Sequence, residues 1–216
     1  MKDLTTKEIF VLAVQNHKKN NLKAAENLYN QILKVNPSHV DANNNLGVIF
    51  QQLEEPKKAI GFFQKVIQIN PNHSDAYYNL GKIFNELNEY EKAINYYKKT
   101  IQINPNQADV HNNLGVIFRN LGEHQQAISC YEKAIKIDPN YVNAYNNLGT
   151  ILGELNHINE AKKNFEKSLN LDPNKKETYE SYGNILLKLN HHYKALGYIR
   201  ESTGFIRFTQ KNFKII

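Results

Sequence analysis

The sequence predicts an all-α chain, an α-solenoid of about six stacked helical hairpins, and three observations carry that prediction. Pro37, Pro71, Pro105, Pro139 and Pro173 stand 34 residues apart. A Leu-Gly pair recurs in register at Leu46-Gly47, Leu80-Gly81, Leu114-Gly115 and Leu148-Gly149. It is followed by Ala59, Ala93, Ala127 and Ala161, and then by the aromatics Phe63, Tyr97, Tyr131 and Phe165. Within each period the apolar residues fall three and four apart, as in Ala42, Leu46, Ile49, Phe50 and Leu53, the stripe of an amphipathic helix. A fixed period of this length marks an array whose units bury their apolar faces on one another.

With the proline at position 32, the repeats run 6–39, 40–73, 74–107, 108–141, 142–175 and 176–203, the array spans 1–203, and 204–216 is a tail. Thr5 and Glu8 form a capping-box pattern ahead of the first helix. Position 8 is Gly47, Gly81, Gly115, Gly149 and Gly183. A glycine inside a helix costs about 1 kcal/mol against alanine, so its recurrence implies close approach of the partner helix, with the alanine twelve positions on as the small residue opposite. The interhelix turn falls at position 15: Asn20, Glu54, Asn88, Gly122, Asn156 and Asn190, mostly residues that tolerate a left-handed conformation. Pro56 follows that turn, where a first-turn proline loses no hydrogen bond. Second helices begin there, with Ala59, Ile60, Phe63 and Ile67 inward in the second repeat, and Asn-Pro or Asp-Pro ends them. In the tail, apolar Phe205, Ile206 and Phe208, then Phe213, Ile215 and Ile216, flank Gln210-Lys211-Asn212 and read as two short strands and a turn. Two readings stand: a cover over the last hairpin, whose Leu196 and Ile199 would face outward, or the first edge of a further domain.

These landmarks resemble the tetratricopeptide repeat (TPR) family, with its pattern W-x2-L-G-x2-Y…A-x3-F…P, over residues 6–203. Three departures stand out. The tryptophan slot holds Asn43, Tyr77, His111, Tyr145 and Tyr179; repeat 1 has Ala13 for glycine and Asn16 for the aromatic; Arg207 stands where the last proline belongs. The resemblance implies a right-handed superhelix whose first helices line a concave wall. Its function would be a non-catalytic protein-interaction scaffold binding a protein or peptide. The Asn-Asn-Leu-Gly run is similar to the TPR arm of O-linked N-acetylglucosamine transferases, so the alternative is a substrate-recruiting arm of a modifying enzyme whose catalytic domain this chain lacks.

Composition narrows the classes. The chain is 41% hydrophobic and 22% charged, ordinary for a folded domain, with a net charge of +6. It has no apolar run long enough to span a bilayer and no basic-then-apolar start of a secretory signal. Cys130 is the one cysteine, so neither an internal disulfide nor a multi-cysteine metal site is available. A cytoplasmic location follows as the expectation.

Removing the packing positions 3, 4, 7, 8, 10 and 11 leaves a strip on each first helix at 2, 5, 6, 9, 12 and 13. Position 6 is Asn45, Asn79, Asn113 and Asn147; position 5 adds Asn44, Asn112 and Asn146, with Tyr78 in the third repeat. An amide offers two donors and an acceptor, so such a ladder would clamp the main chain of an extended peptide, with Lys82 and Arg119 as the cations beside it. The competing reading is drift toward Asn, Lys and Ile in an AT-rich coding sequence. Over repeats 2 to 6 the strip carries Asp41, Asp75, Glu86, Asp109, Glu154, Glu177 and Glu180 against Lys82, Arg119 and Lys188, a net charge of −4. Lysines concentrate instead on second helices, from Lys57 and Lys58 to Lys163 and Lys167. That predicts a neutral-to-basic partner and no nucleic acid or membrane surface. TPR domains that grip chaperone C-terminal carboxylates use Lys or Arg at positions 2, 5 and 6, where only Lys7 fits here. Self-association through the array ends is the other contact expected.

No P-loop, H-E-x-x-H, G-x-G-x-x-G or G-x-S-x-G motif occurs. His111 fills a packing slot, His191-His192 falls in a turn, and the wall carboxylates recur with the fold's period. No catalytic residue, cofactor or metal site is expected.

Overall fold

The computed structural model describes residues 4–203, 206–208 and 213–215. Among them are twelve α-helices: α1 Thr6–Lys18, α2 Leu22–Val35, α3 Val40–Gln52, α4 Pro56–Ile69, α5 Ser74–Glu86, α6 Tyr90–Ile103, α7 Ala108–Asn120, α8 His124–Ile137, α9 Val142–Glu154, α10 Ile158–Leu171, α11 Lys176–Lys188 and α12 His192–Thr203. The expected all-α hairpin architecture is what forms. The chain separates into two compact units, Met1–Pro105 with α1 to α6 and Asn106–Ile216 with α7 to α12. In the first unit α1 packs on α2, α3 on α4 and α5 on α6, with α2 against α3 and α4 against α5; the second unit repeats the scheme. Short strands β1 Ile206–Phe208 and β2 Phe213–Ile215 pair antiparallel, Ile206 opposite Ile215, as the tail's pattern predicts. Phe205 and the tail side chains lie outside the described residues, and so does the expected cover over the last hairpin.

The turns follow one recipe. Asn20, Glu54, Asn88, Asn156 and Asn190 sit at φ between 57° and 66°, and Gly122 at 76°. Behind each, the next amide reaches back five residues, as in Asn21 N–H to the Asn16 carbonyl at 2.9 Å and Glu89 N–H to the Phe84 carbonyl at 2.8 Å. This six-to-one bond closes the orphan carbonyls of the first helix. Second helices stop at an extended Asn or Asp whose side chain accepts from the amide two residues on: Asn36 from Ser38 at 3.1 Å, Asp138 from Asn140 at 2.9 Å. The proline between them therefore sits in an Asx turn. Thr5 and Glu8 do form the capping box. His39 and His73 cap α3 and α5, each ring Nδ1 accepting from the amide of Ala42 or Ala76 at 3.2 Å.

The position-8 glycines do make room for the partner helix, and most of that room goes to a ring. A Cβ built on Gly47 would lie 2.7 Å from the Phe63 ring, on Gly81 2.5 Å from Tyr97 and on Gly115 2.5 Å from Tyr131. The aromatic sixteen positions on fills most of the space, because a ring laid flat on backbone buries more apolar area than a methyl group, and the alanine's backbone carbonyl also comes close, 3.2 Å from a Cβ on Gly149 for Ala161 and on Gly183 for Ala195. Ile199 takes that place over Gly183, with 1% exposure, so it faces inward and not outward as its sequence position suggested. His111 is buried in its packing slot, and Asn43 is fully buried, donating to the carbonyls of Pro37 and His39. No helix among the described residues is long and apolar enough to cross a membrane.

Candidate functional site

In the first unit the strip is built on α3 and α5. Asn44, Asn45, Tyr78, Asn79 and Lys82 are all half-buried on it. Asn45 is held: its Nδ2 donates to the Tyr29 hydroxyl of α2 at 3.0 Å. Burial pushes the Tyr29 phenol up, against the effect of that bond, so it remains a neutral acceptor. The Tyr78 ring leans on Tyr97, centroids 6.0 Å apart. The Asn44 Oδ1 is buried without a partner among the described residues. Beside these amides α1 contributes Lys7 and the half-exposed Val11, so the first repeat's share of the strip is part apolar and part basic.

In the second unit the ladder partly bonds to itself. Asn147 on α9 donates from Nδ2 to the Oδ1 of Asn112 on α7 at 2.9 Å, and Asn112 is only 6% exposed. Asn113 and Asn146 are half-buried, the latter with its Oδ1 buried and unpartnered among the described residues. Arg119 requires a correction. It was expected as a cation offered to a ligand, but it forms a two-pronged pair with Glu154, Nη2 to Oε1 at 2.5 Å and Nε to Oε2 at 3.2 Å. The Glu154 carboxylate, opposed by partial burial, pushes the guanidinium up, so both charges are spent on each other. Tyr141 donates its hydroxyl to Asp109 at 2.5 Å, and Lys175 stands 3.5 Å from Glu177. Position 12 is not always on the strip, because Gly153 is buried, with Ile185 of α11 seated where its Cβ would be, 2.6 Å away.

These contacts leave a concavity of about 660 Å³ on the first helices of the second unit, lined by Arg119, Thr150, Glu154, Glu180, Asn184 and Lys188 among others. Thr150 and Asn184 at position 9 and Ser181 at position 6 belong to it; the period places them on the strip, but the sequence reading did not single them out because their residue types do not recur there. The signal that finds the linking contacts is a spacing of one repeat plus one residue. It joins Asn112 to Asn147, Arg119 to Glu154, and His17 Nε2 to Gln52 Oε1 at 3.1 Å. The described residues contain no group of three or more His, Cys, Asp or Glu side chains that could hold a metal. Burial pushes the half-buried Cys130 thiol up, which leaves it a poor nucleophile.

Comparison with known proteins agrees with the repeat fold. Tetratricopeptide repeat models match residues 40–73 and 108–141, and 62–95 and 130–163; a TPR repeat model matches 81–122. Together they span 40–163. The MamA protein is 29% identical over 79% of this chain and 93% of its own, with a TM-score of 0.69. Pseudomonas aeruginosa PilF aligns over 90% of this chain and 88% of its own at 19% identity and TM-score 0.79. YrrB, described as a TPR protein with an unusual peptide-binding site, aligns over 82% and 91% at 18% identity and TM-score 0.65. No curated protein matches significantly. With the period, the glycine-on-ring packing and the matched models in agreement, the chain belongs to the tetratricopeptide repeat family.

Proposed function

We propose that the chain is a non-catalytic protein-interaction module of a reducing, cytoplasmic setting, whose first-helix strip holds an extended, neutral-to-basic peptide segment. The observation that carries this reading is the concavity on α7, α9 and α11, where hydroxyl, amide and carboxylate groups converge and Arg119 is already neutralised by Glu154. Glu180 and Asn184 then present an acceptor-rich wall to a ligand. On the second unit Asn113 and Asn147, and on the first unit Asn79, each supply main-chain contacts that do not depend on the ligand's side chains. YrrB's description as a peptide-binding TPR protein supports the class of ligand.

A random peptide library displayed against the full chain tests it. Neutral and basic peptides are expected, with affinity falling as salt rises, because exposed charges are screened within about 10 Å at 0.1 M salt. The combined change Asn79→Ala, Asn113→Ala and Asn147→Ala should abolish binding while the circular dichroism stays helical. Selection of acidic peptides, or peptides indifferent to the triple change, overturns the reading.

A further inference from the structure

In the stacked hairpins, position 12 of one first helix meets position 13 of the next. Within the first unit His17 Nε2 reaches Gln52 Oε1 at 3.1 Å, and within the second Arg119 grips Glu154 through two prongs. On α3 and α5 the same two positions are Gln51 and Glu86, and there the contact is not made. Neither side chain has a hydrogen-bond or ion-pair partner among the described residues. Gln51 is the counterpart of Arg119, and Glu86 of Glu154, each two periods earlier in the chain. A carboxylate position that holds an arginine in the second unit thus stands without one in the first.

Where the contact is missing a notch opens, about 230 Å³ in volume and lined by Gln51, Glu54, Pro56, Ile83, Glu86 and Leu87. Its floor is apolar: Ile83 is buried, Leu87 stays 43% exposed, and Pro56 opens α4. Its charge is all of one sign, since the ionisable groups of the lining are Glu54 and Glu86. The Glu54 carboxylate is peculiar to this turn, because the other interhelix turns carry asparagine or glycine there. Lys58 on α4 does not neutralise it, being held by Glu55 at 2.5 Å. The notch therefore combines an apolar seat with two carboxylates that the described residues leave unpaired.

We propose that this notch seats an arginine side chain of a bound protein segment, which supplies from outside the guanidinium that Arg119 supplies within the second unit. The inference rests on the reading that the first-helix strip holds a basic segment, and it names the side chain that anchors that segment. The apolar stem of an arginine lies along Pro56, Ile83 and Leu87 while its head stays at the wet rim. The planar head presents parallel N–H donors to a carboxylate, so Glu86 accepts it as Glu154 accepts Arg119. Glu54 adds the second negative charge. A lysine ammonium is a point charge without that fork, which makes lysine the weaker ligand.

Amide NMR spectra of the full chain, titrated with a blocked Ala-Ala-Arg-Ala-Ala peptide, test this, with lysine or the neutral isostere citrulline replacing the arginine as controls. Saturable shifts are expected at residues 51–56 and 83–87, and the arginine peptide should bind about fivefold or more tightly than either control. Glu86→Gln should weaken binding about fivefold. Gln51→Arg writes the second unit's arrangement into the first and should remove binding by filling the notch from within. If Glu86→Gln loses helicity by circular dichroism, Gln51→Arg decides, since arginine is a good helix former. Equal binding of the citrulline or lysine peptide overturns the proposal, and so does undiminished binding by Gln51→Arg. Absence of saturable shifts at the notch by about 20 mM peptide overturns it as well. Shifts confined to Thr150, Glu180 and Asn184 would overturn the notch yet leave the strip as the seat of basic segments. The strip reading fails separately, by selection of acidic peptides from the random library.

Discussion

Gly81 and Gly61 are both helical glycines, yet they should respond in opposite directions to the same added methyl group. On Gly81 a Cβ would sit 2.5 Å from the buried Tyr97 ring, whereas on Gly61 it meets nothing within 4 Å. Gly81→Ala is therefore expected to destabilise by about 1–3 kcal/mol, the range for overpacking a core. Gly61→Ala should stabilise by about 0.5–1 kcal/mol, because alanine loses less backbone entropy in a helix. Urea melts of the two variants check the sign. Cys130 gives a second residue-scale test: with its thiol pushed up by burial, a thiol reagent at about pH 8 should label the native chain far more slowly than the unfolded one. Equal labelling rates would place the thiol outside the hairpin packing.

At the scale of the element, the caps decide where each helix begins and ends. His39→Ala removes the acceptor for the Ala42 amide and should cost about 1 kcal/mol, while His39→Asn supplies another good cap and should cost little; thermal melts separate them. The hairpins themselves were legible in the sequence, because Leu-Gly, alanine, aromatic and proline each mark one packing event per period. The position-15 turns were legible too, since asparagine and glycine announce a positive φ. What escaped were contacts whose partner is elsewhere: the Asn112–Asn147 bond, the Tyr29–Asn45 bond and the Arg119–Glu154 pair. Each looks like a free polar group until the next hairpin is stacked beside it. The histidine caps were hidden for a related reason, as a ring nitrogen's role depends on orientation rather than residue type. The glycine's partner was read only in part: the alanine's backbone does approach at Gly149 and Gly183, but the ring that takes most of the gap was not foreseen.

At the scale of the whole molecule, one motif position carries different weight from one repeat to the next. Position 7 is Leu46 and Leu80, both fully buried, whereas in the first repeat it is Leu12, 39% exposed. Leu46→Ala should cost about 2–5 kcal/mol and Leu12→Ala below about 1 kcal/mol, read as the difference between two urea melts. The seat that Gly153 gives Ile185 has a further consequence, for how such a chain can be inherited. A gene written in a 34-residue period can lose or duplicate one period by unequal recombination without disturbing register. Position 12 is His17, Gln51, Asn85 and Arg119 in the repeats before it, each followed by an isoleucine at position 10 of the next repeat, so only the fifth receives its isoleucine on a glycine. Excising residues 142–175 would bring Arg119 under that isoleucine. Excising 40–73 moves no side chain into a neighbour's backbone seat of this kind, and that shortened chain should melt at the higher temperature. A lower melting temperature for the chain without 142–175 would mark the last two hairpins as a pair gained or lost together.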